Sequence, residues 1–254
     1  LFQLNTSLTA AQASAVEHSK EQLEGLRPIL RKLRTALERE IKKQVVFLPH
    51  SAKHFASLRS LIDALRERED TEVKLMPIPY FDRLGDGSLS EMHYEGENFP
   101  KEYPITDYRS YNFAAELPDC IVMNSPYDAY NPVWSVDPFF YSEKLKQYTN
   151  KLVYIPWFVT DEIDSEKPED GKAFYNMRYY VTVPGIMHAD CTIVQSEGMK
   201  KAYLAKLSRF IEEKEVLERL EKKILGAGSY LTEGKNEKEK EELLNKVLSN
   251  IFPE

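Results

Sequence analysis

The feature that most constrains this chain is a series of short, mostly apolar runs separated by helical patterns. The runs are Val45 to Pro49, Val73 to Ile78, Cys120 to Met123, Leu152 to Ile155, Thr192 to Val194 and Lys223 to Leu225. Short apolar runs without a polar alternate suit strands covered on both faces, as in parallel sheets. Helical patterns lie between them, at Phe55 to Arg68, Pro138 to Tyr148, Phe174 to Val181 and Glu197 to Leu220. Strand alternating with helix implies right-handed crossovers. The expected fold is therefore α/β: a Rossmann-like, doubly wound parallel sheet of about six strands over residues 45–230.

Residues 1–44 read as a helical hairpin. One helix runs from Thr9 to Glu24 and stops near Gly25. A second opens at Pro28 and carries Leu30, Leu33, Leu37 and Ile41 at helical spacing. That stripe reads as core packing or as a face for a second copy of the chain, and it is the one segment suited to peripheral membrane contact. Residues 231–254 read as a polar linker and a terminal helix. Pro79 to Pro118 breaks the rhythm and is expected to be an ordered, functional loop, rich in Tyr and Gly.

Composition excludes several classes. A net charge of −7 disfavours nucleic acid, which needs a basic face, and the basic stretch Arg31 to Lys43 reads as a solvated helix face. No run approaches the roughly twenty apolar residues of a membrane span, and the N-terminus lacks a signal-peptide pattern. Cys120 and Cys191 head apolar runs and are expected to be free buried thiols in a reducing compartment, which fits the cytoplasm.

In an open parallel sheet, ligands collect at the carboxyl ends of the strands. The residues that follow the runs are His50, Ser51 and His54; Tyr80 and Asp82; Asn124 to Pro132; Trp157 and Asp161; Gln195 and Ser196; and Gly226 to Ser229. Ser196 also suits a helix N-cap. The dinucleotide, Walker and nucleophile-elbow motifs are absent. His93, between Glu91 and Glu95, is the preferred general base. His50 and His54 have no Cys or carboxylate at ligand spacing, and no metal is expected.

Five blocks carry a resemblance: Asp82-x-x-Gly85-Asp86-Gly87-Ser88 with Glu91 to Gly96; Asn124-x-Pro126-Tyr127-Asp128-x-Tyr130-Asn131; Pro138 to Ser142 with Leu152 to Pro156; Val194 to Glu197 with Met199; and Lys223 to Gly226 with Gly228-Ser229. Together they resemble the amino-terminal part of bacterial CDP-glycerol glycerophosphotransferase-related proteins, the teichoic-acid polymerase type, over residues 45–230. The resemblance implies a glycosyltransferase-B-like arrangement whose first domain binds a small-molecule or cell-wall polymer acceptor at the inner face of the membrane. A second domain, expected to be absent here, would bind the nucleotide-linked donor, with no further cofactor. In that scheme His93 is the base and Asp128 positions it or the acceptor. His50, Tyr80, Glu95, Asn124, Tyr127, Tyr130 and Asn131 contact substrate, while Gln195, Ser196, Gly226, Gly228 and Ser229 meet phosphate. His50 stands where the family has Tyr, and His188 where it has Asn, so His50 is a second candidate for proton transfer. The competing expectation is a non-catalytic small-ligand or assembly module.

Overall fold

The computed structural model describes residues 24–32, 42–228 and 236–252. The chain falls into two compact units, Leu1–Lys42 and Lys43–Glu254. In the first, residues 24–32 are helical throughout, so the helix neither stops at Gly25 nor restarts at Pro28. Proline at that place lacks the N–H that would reach the Glu24 carbonyl and crowds that carbonyl, yet the helix continues through it. Leu30 is exposed there, while Leu33, Leu37, Ile41 and the Thr9 end of the expected hairpin lie outside the described residues.

The second unit is built on six parallel strands: β1 (Lys43–Leu48), β2 (Thr71–Leu75), β5 (Cys120–Met123), β7 (Lys151–Tyr154), β8 (Cys191–Val194) and β9 (Ile224–Gly226). Their order is β2-β1-β5-β7-β8-β9, every neighbouring pair parallel. The strands are apolar because both faces are covered. Val45, Phe47, Val122, Val153 and Ile193 face one core, and Val46, Leu48, Ile121, Met123 and Tyr154 the other. Cys120 and Cys191 are free and buried.

Helix α1 (Ala56–Arg66) presents Leu58, Leu61, Ile62 and Leu65 to the first core. The opposite core takes residues from α2 (Phe113–Glu116), α3 (Ser142–Leu145), α4 (Gly171–Asn176), α5 (Arg178–Val181), α6 (Pro184–His188), α7 (Glu197–Leu207) and α8 (Lys214–Lys223). The expected single helix from Glu197 to Leu220 is broken between α7 and α8. A straight helix of that length would run about 36 Å and overshoot strands only ~13 Å long. The break lets both Leu207 and Leu220 reach the core. Likewise Pro138 to Tyr148 is a 3₁₀ turn, Pro138–Phe140, followed by α3.

The stretch from Pro79 to Pro118 is not a plain loop. β3 (Tyr80–Arg83) and β4 (Leu89–His93) form a hairpin, and β6 (Trp134–Val136) joins it in an antiparallel sheet ordered β4-β3-β6. The turn depends on Gly87 at φ +85°, where only glycine is unstrained, with Asp86 accepting from the Ser88 N–H and hydroxyl. Since β3 follows β2 after four residues, this small sheet stands over the carboxyl end of the large one.

Helix α9 (Glu237–Ile251) starts in a capping box between Asn236 and Glu239 and lays Val247 and Ile251 into the α1-side core. Lys246 also pairs with Glu197 at 2.8 Å. No helix of the described residues is long and apolar enough to cross a membrane. Because Ile251 is buried, Ile251→Ala is expected to lower unfolding free energy by about 2–4 kcal/mol in urea titrations. An unchanged midpoint would mean that α9 does not dock on the sheet.

Candidate functional site at the sheet reversal

In sequence order the large sheet reads 2-1-3-4-5-6, so its winding reverses between β1 and β5. The crossover after β1 packs α1 on one face, and the crossover after β5 packs Phe140 and Leu145 on the other. The two connections diverge at the carboxyl ends of β1 and β5, the place where doubly wound sheets bind ligands.

His50 follows β1 and Asn124 follows β5, and they meet there. Asn124 Oδ1 and His50 Nδ1 are 3.1 Å apart. An amide oxygen only accepts, so the imidazole carries its proton on Nδ1 and offers a lone pair at Nε2. His50 is buried and enclosed by rings. It stacks on Trp134 at 4.6 Å, meets Tyr80 edge-on at 5.8 Å, and lies 5.1 Å from His54, which itself packs on Trp157 at 4.1 Å. Burial pushes the His50 pKa down to about 4, against the opposing pull of the Asn124 hydrogen bond, with His54 adding to the drop and Glu95 opposing it. Burial likewise lowers His54. Both rings are thus held toward the neutral form.

Among the described residues, buried polar atoms of this cluster lack partners. Asn124 is fully buried, and its Nδ2 makes no hydrogen bond; His54 Nδ1 also has none. The buried Trp157 indole N–H also makes no hydrogen bond among the described residues. A buried amide left unpaired costs about 1–3 kcal/mol. Such groups are paired in nearly all native sites, by protein, water or ligand.

Glu95 closes the near wall. One carboxylate oxygen accepts from the Ser51 hydroxyl and the Ala52 N–H, both at 2.9 Å, and the other from the Tyr80 hydroxyl at 2.9 Å. Burial tends to raise its pKa, but these three donors outweigh it and hold the carboxyl below the ordinary range. In turn, burial and then Glu95 push Tyr80 up to about 12. Beside them opens a groove of about 740 Å³, lined by Lys53, Tyr80, His93, Tyr94 and Glu95 among others. His93 stacks on Tyr80 at 5.0 Å and bonds through Nε2 to Asp82 at 3.0 Å. The carboxylate that orients His93 is thus Asp82, across the hairpin, and neither Glu91 nor Glu95. Among the described residues, Asp82, Glu91 and His93 alone bring three metal-ligating atoms within 4.8 Å of one another; both carboxylates are exposed.

Other expected residues fall elsewhere. Asp128 bonds to Ser142 and stands beside His188, so it does not position His93. Burial raises its pKa, opposed by the two Ser142 bonds and by His188. Tyr127 is half-buried and meets Trp134 edge-on at 5.9 Å, joining the aromatic cluster. Tyr130 is exposed, and Asn131 caps the turn into β6 by accepting from Val133 N–H.

The phosphate expectation at β8 and β9 meets a different arrangement. Ser196 caps α7 through the Met199 N–H, as its position suggested, and also donates to Glu162 at 2.7 Å. Gln195 donates to the same carboxylate at 3.1 Å and to the Thr160 carbonyl. Glu162 therefore occupies the helix N-terminus where an anion would sit. Gly226 is a packing glycine, since a Cβ there would lie 2.4 Å from the Glu197 nitrogen. Gly228 adopts φ +89°, and Ser229 lies outside the described residues. The expected site does not include Trp134, and holds Ser142 only as the last residue of the Pro138 to Ser142 block. The Asn131-Pro132 turn ahead of Val133 to Val136 is the available signal for Trp134.

The neutral, buried His50 ties stability to pH. Its folded pKa lies below its unfolded value, so between pH 6.5 and about 4 the unfolded chain binds more protons, and stability falls as pH falls. Relative to His50→Gln, the wild type is expected to lose roughly 3 kcal/mol across that window. Parallel pH profiles in urea denaturation would contradict the buried, neutral imidazole.

No protein-family model and no curated protein matches the chain. Among solved structures it is similar to UDP-GlcNAc 2-epimerase from Neisseria meningitidis bound to UDP-GlcNAc, at 11% identity over 72% of this chain and 45% of that one, with TM-score 0.33. It is also similar to pyridoxal kinase from Staphylococcus aureus in complex with AMP-PCP, at 14% identity over 70% of this chain and 57% of that one, with TM-score 0.29. The chain thus spans about half the length of these structures. The α/β fold itself is given by the strand order and the covered faces of the sheet.

Proposed function

We propose that the crevice between β1 and β5 binds the hydroxyl acceptor of a glycosyltransferase-B-like transferase, and that a separate domain brings the nucleotide-linked donor of a glycerophosphate or glycosyl group. The observation that carries this reading is the pairing of a neutral His50 with a buried Asn124 amide whose Nδ2 is unsatisfied. Donor and acceptor sites between flat aromatic walls suit a sugar or polyol, whose hydroxyls both give and take hydrogen bonds while its C–H faces lie on rings.

The electrostatics favour a neutral ligand over a phosphate. Glu95 lines the groove, Asp82 and Glu91 stand beside its His93, and among the described residues Lys53 is the one Lys or Arg of its lining. Glu162 at the start of α7 supports the same view, since it sets the chain's own carboxylate at that helix N-terminus. A pKa of about 4 makes His50 a weak base at neutral pH and suits it to recognition. His93, with Nε2 held by Asp82, keeps Nδ1 for the acceptor's proton and is the base of this reading. The Glu162 plug also favours a second reading, a non-catalytic module that binds a neutral ligand, because it removes a phosphate site from this domain.

Two tryptophans are present in the chain, Trp134 and Trp157, and both line this cluster. Intrinsic fluorescence therefore reports on it directly. Glycerol or methyl α-D-glucopyranoside is expected to change the emission saturably, with CDP-glycerol adding nothing beyond its glycerol moiety. Asn124→Ala is expected to weaken the response about tenfold, the worth of one buried hydrogen bond. No response to either polyol, or a tighter response to CDP-glycerol, would contradict acceptor binding here. In the protein complete with its donor domain, His93→Ala should abolish transfer while fluorescence binding persists. Retained transfer would support the non-catalytic role for His93.

A further inference from the structure

A second set of chemically unusual side chains lies outside the crevice and independent of the reading above. Asp128 is a buried carboxylate held at φ +48°, a left-handed conformation that is costly for a side-chain-bearing residue. One oxygen accepts from the Ser142 N–H at 2.8 Å, the other from the Ser142 hydroxyl at 2.6 Å. Ser142 Oγ also lies 2.7 Å from His188 Nδ1. A hydroxyl has one proton, and here it goes to the carboxylate. The link to His188 is therefore Nδ1–H donating to Ser142 Oγ.

This chain of bonds settles the histidine's tautomer. With Nδ1 protonated, Nε2 bears the lone pair, and no protein group among the described residues bonds to it. His188 reaches this position because α6 is pinned to the loop after β5. The Gly185 N–H donates to the Pro126 carbonyl at 2.8 Å, and a Cβ on Gly185 would lie 2.6 Å from Pro126 Cα. Asp128 and Ser142, which are both buried, hold the ring from behind. The arrangement is not that of a nucleophilic serine, since Ser142 is fully buried and its proton points at the acid.

His188 lines a pocket of about 460 Å³ whose other walls include Tyr130, Tyr141, Glu143, Pro184 and Met187. That volume suits a small organic molecule. Among the described residues no Lys or Arg lines it, which disfavours an anion. Tyr130 and Met187 are exposed at its edge and offer an aromatic face and a soft apolar surface.

We propose that this pocket is a second ligand site, which takes a neutral alcohol or phenol and receives its hydroxyl as a hydrogen bond at His188 Nε2. Asp128 and Ser142 are positioning residues that fix the tautomer and the plane of the ring.

Histidine side-chain ¹⁵N NMR at about pH 8, where imidazoles are neutral, tests this in the wild-type chain. His188 is expected in the Nδ1–H tautomer. Phenol should shift its Nε2 resonance and the Met187 methyl signal saturably, whereas anisole, which keeps the ring and lacks the donor, should bind about tenfold more weakly. Ser142→Ala should move His188 to the Nε2–H tautomer and erase the preference for phenol. His188→Phe, at a half-exposed position, should erase the preference without that buried change, and so decides the matter if Ser142→Ala fails to fold. An Nε2–H tautomer in the wild type, equal binding of phenol and anisole, or no shift with either would overturn the proposal.

Discussion

Covering both faces of the parallel sheet is the constraint on which the rest depends. Once α1 and α9 cover one face and the helices from α2 to α8 the other, the strand ends are the part of the sheet left for chemistry. The reversal between β1 and β5 then selects one place among those ends, because the crossovers part there and nowhere else along the row. His50 and Asn124 are the residues that emerge from the two strands at that point, and they bond to each other. The small β4-β3-β6 sheet supplies the roof, bringing Tyr80, His93 and Trp134 over the same crevice.

The electrostatic character of the site follows from the same burial. An imidazole enclosed by Trp134, Tyr80 and His54 loses solvation, and the neighbouring Glu95 is too well satisfied by Ser51, Ala52 and Tyr80 to restore its charge. Histidine here is a neutral acceptor beside an amide donor. Acid groups are placed toward the open groove, and Glu162 takes the helix N-terminus that would otherwise attract phosphate. Binding of a neutral, hydroxyl-rich ligand is the chemistry these groups have in common.

The sheet was legible because its strands are buried on both sides and so are unbroken apolar runs. The hairpin was not, because Tyr80 to Arg83 and Leu89 to His93 are half-exposed and carry no such run; only Asp86-Gly87 marked it. Its third strand, Trp134 to Val136, joins from fifty residues away, a pairing that no local pattern displays. The strand-end rule points to His50, Tyr80 and Asn124, which do converge, while Glu95 joins them from just beyond β4. At Gln195, Ser196 and Gly226 the sequence does not display the neighbours that engage them, Glu162 and the start of α7, because tertiary packing brings these groups there. The partner of His93 is hidden for the same reason, since Asp82 reaches it across the hairpin and Ser142 bridges Asp128 to His188.

The most direct measurement is a crystal structure of the chain with a neutral acceptor such as methyl α-D-glucopyranoside. The account predicts the ligand against Trp134, with a hydroxyl about 2.7–3.2 Å from Asn124 Nδ2 and another at His50 Nε2. A sugar bound instead at the start of α7, or an Asn124 amide already satisfied by protein in the crystal, would contradict it.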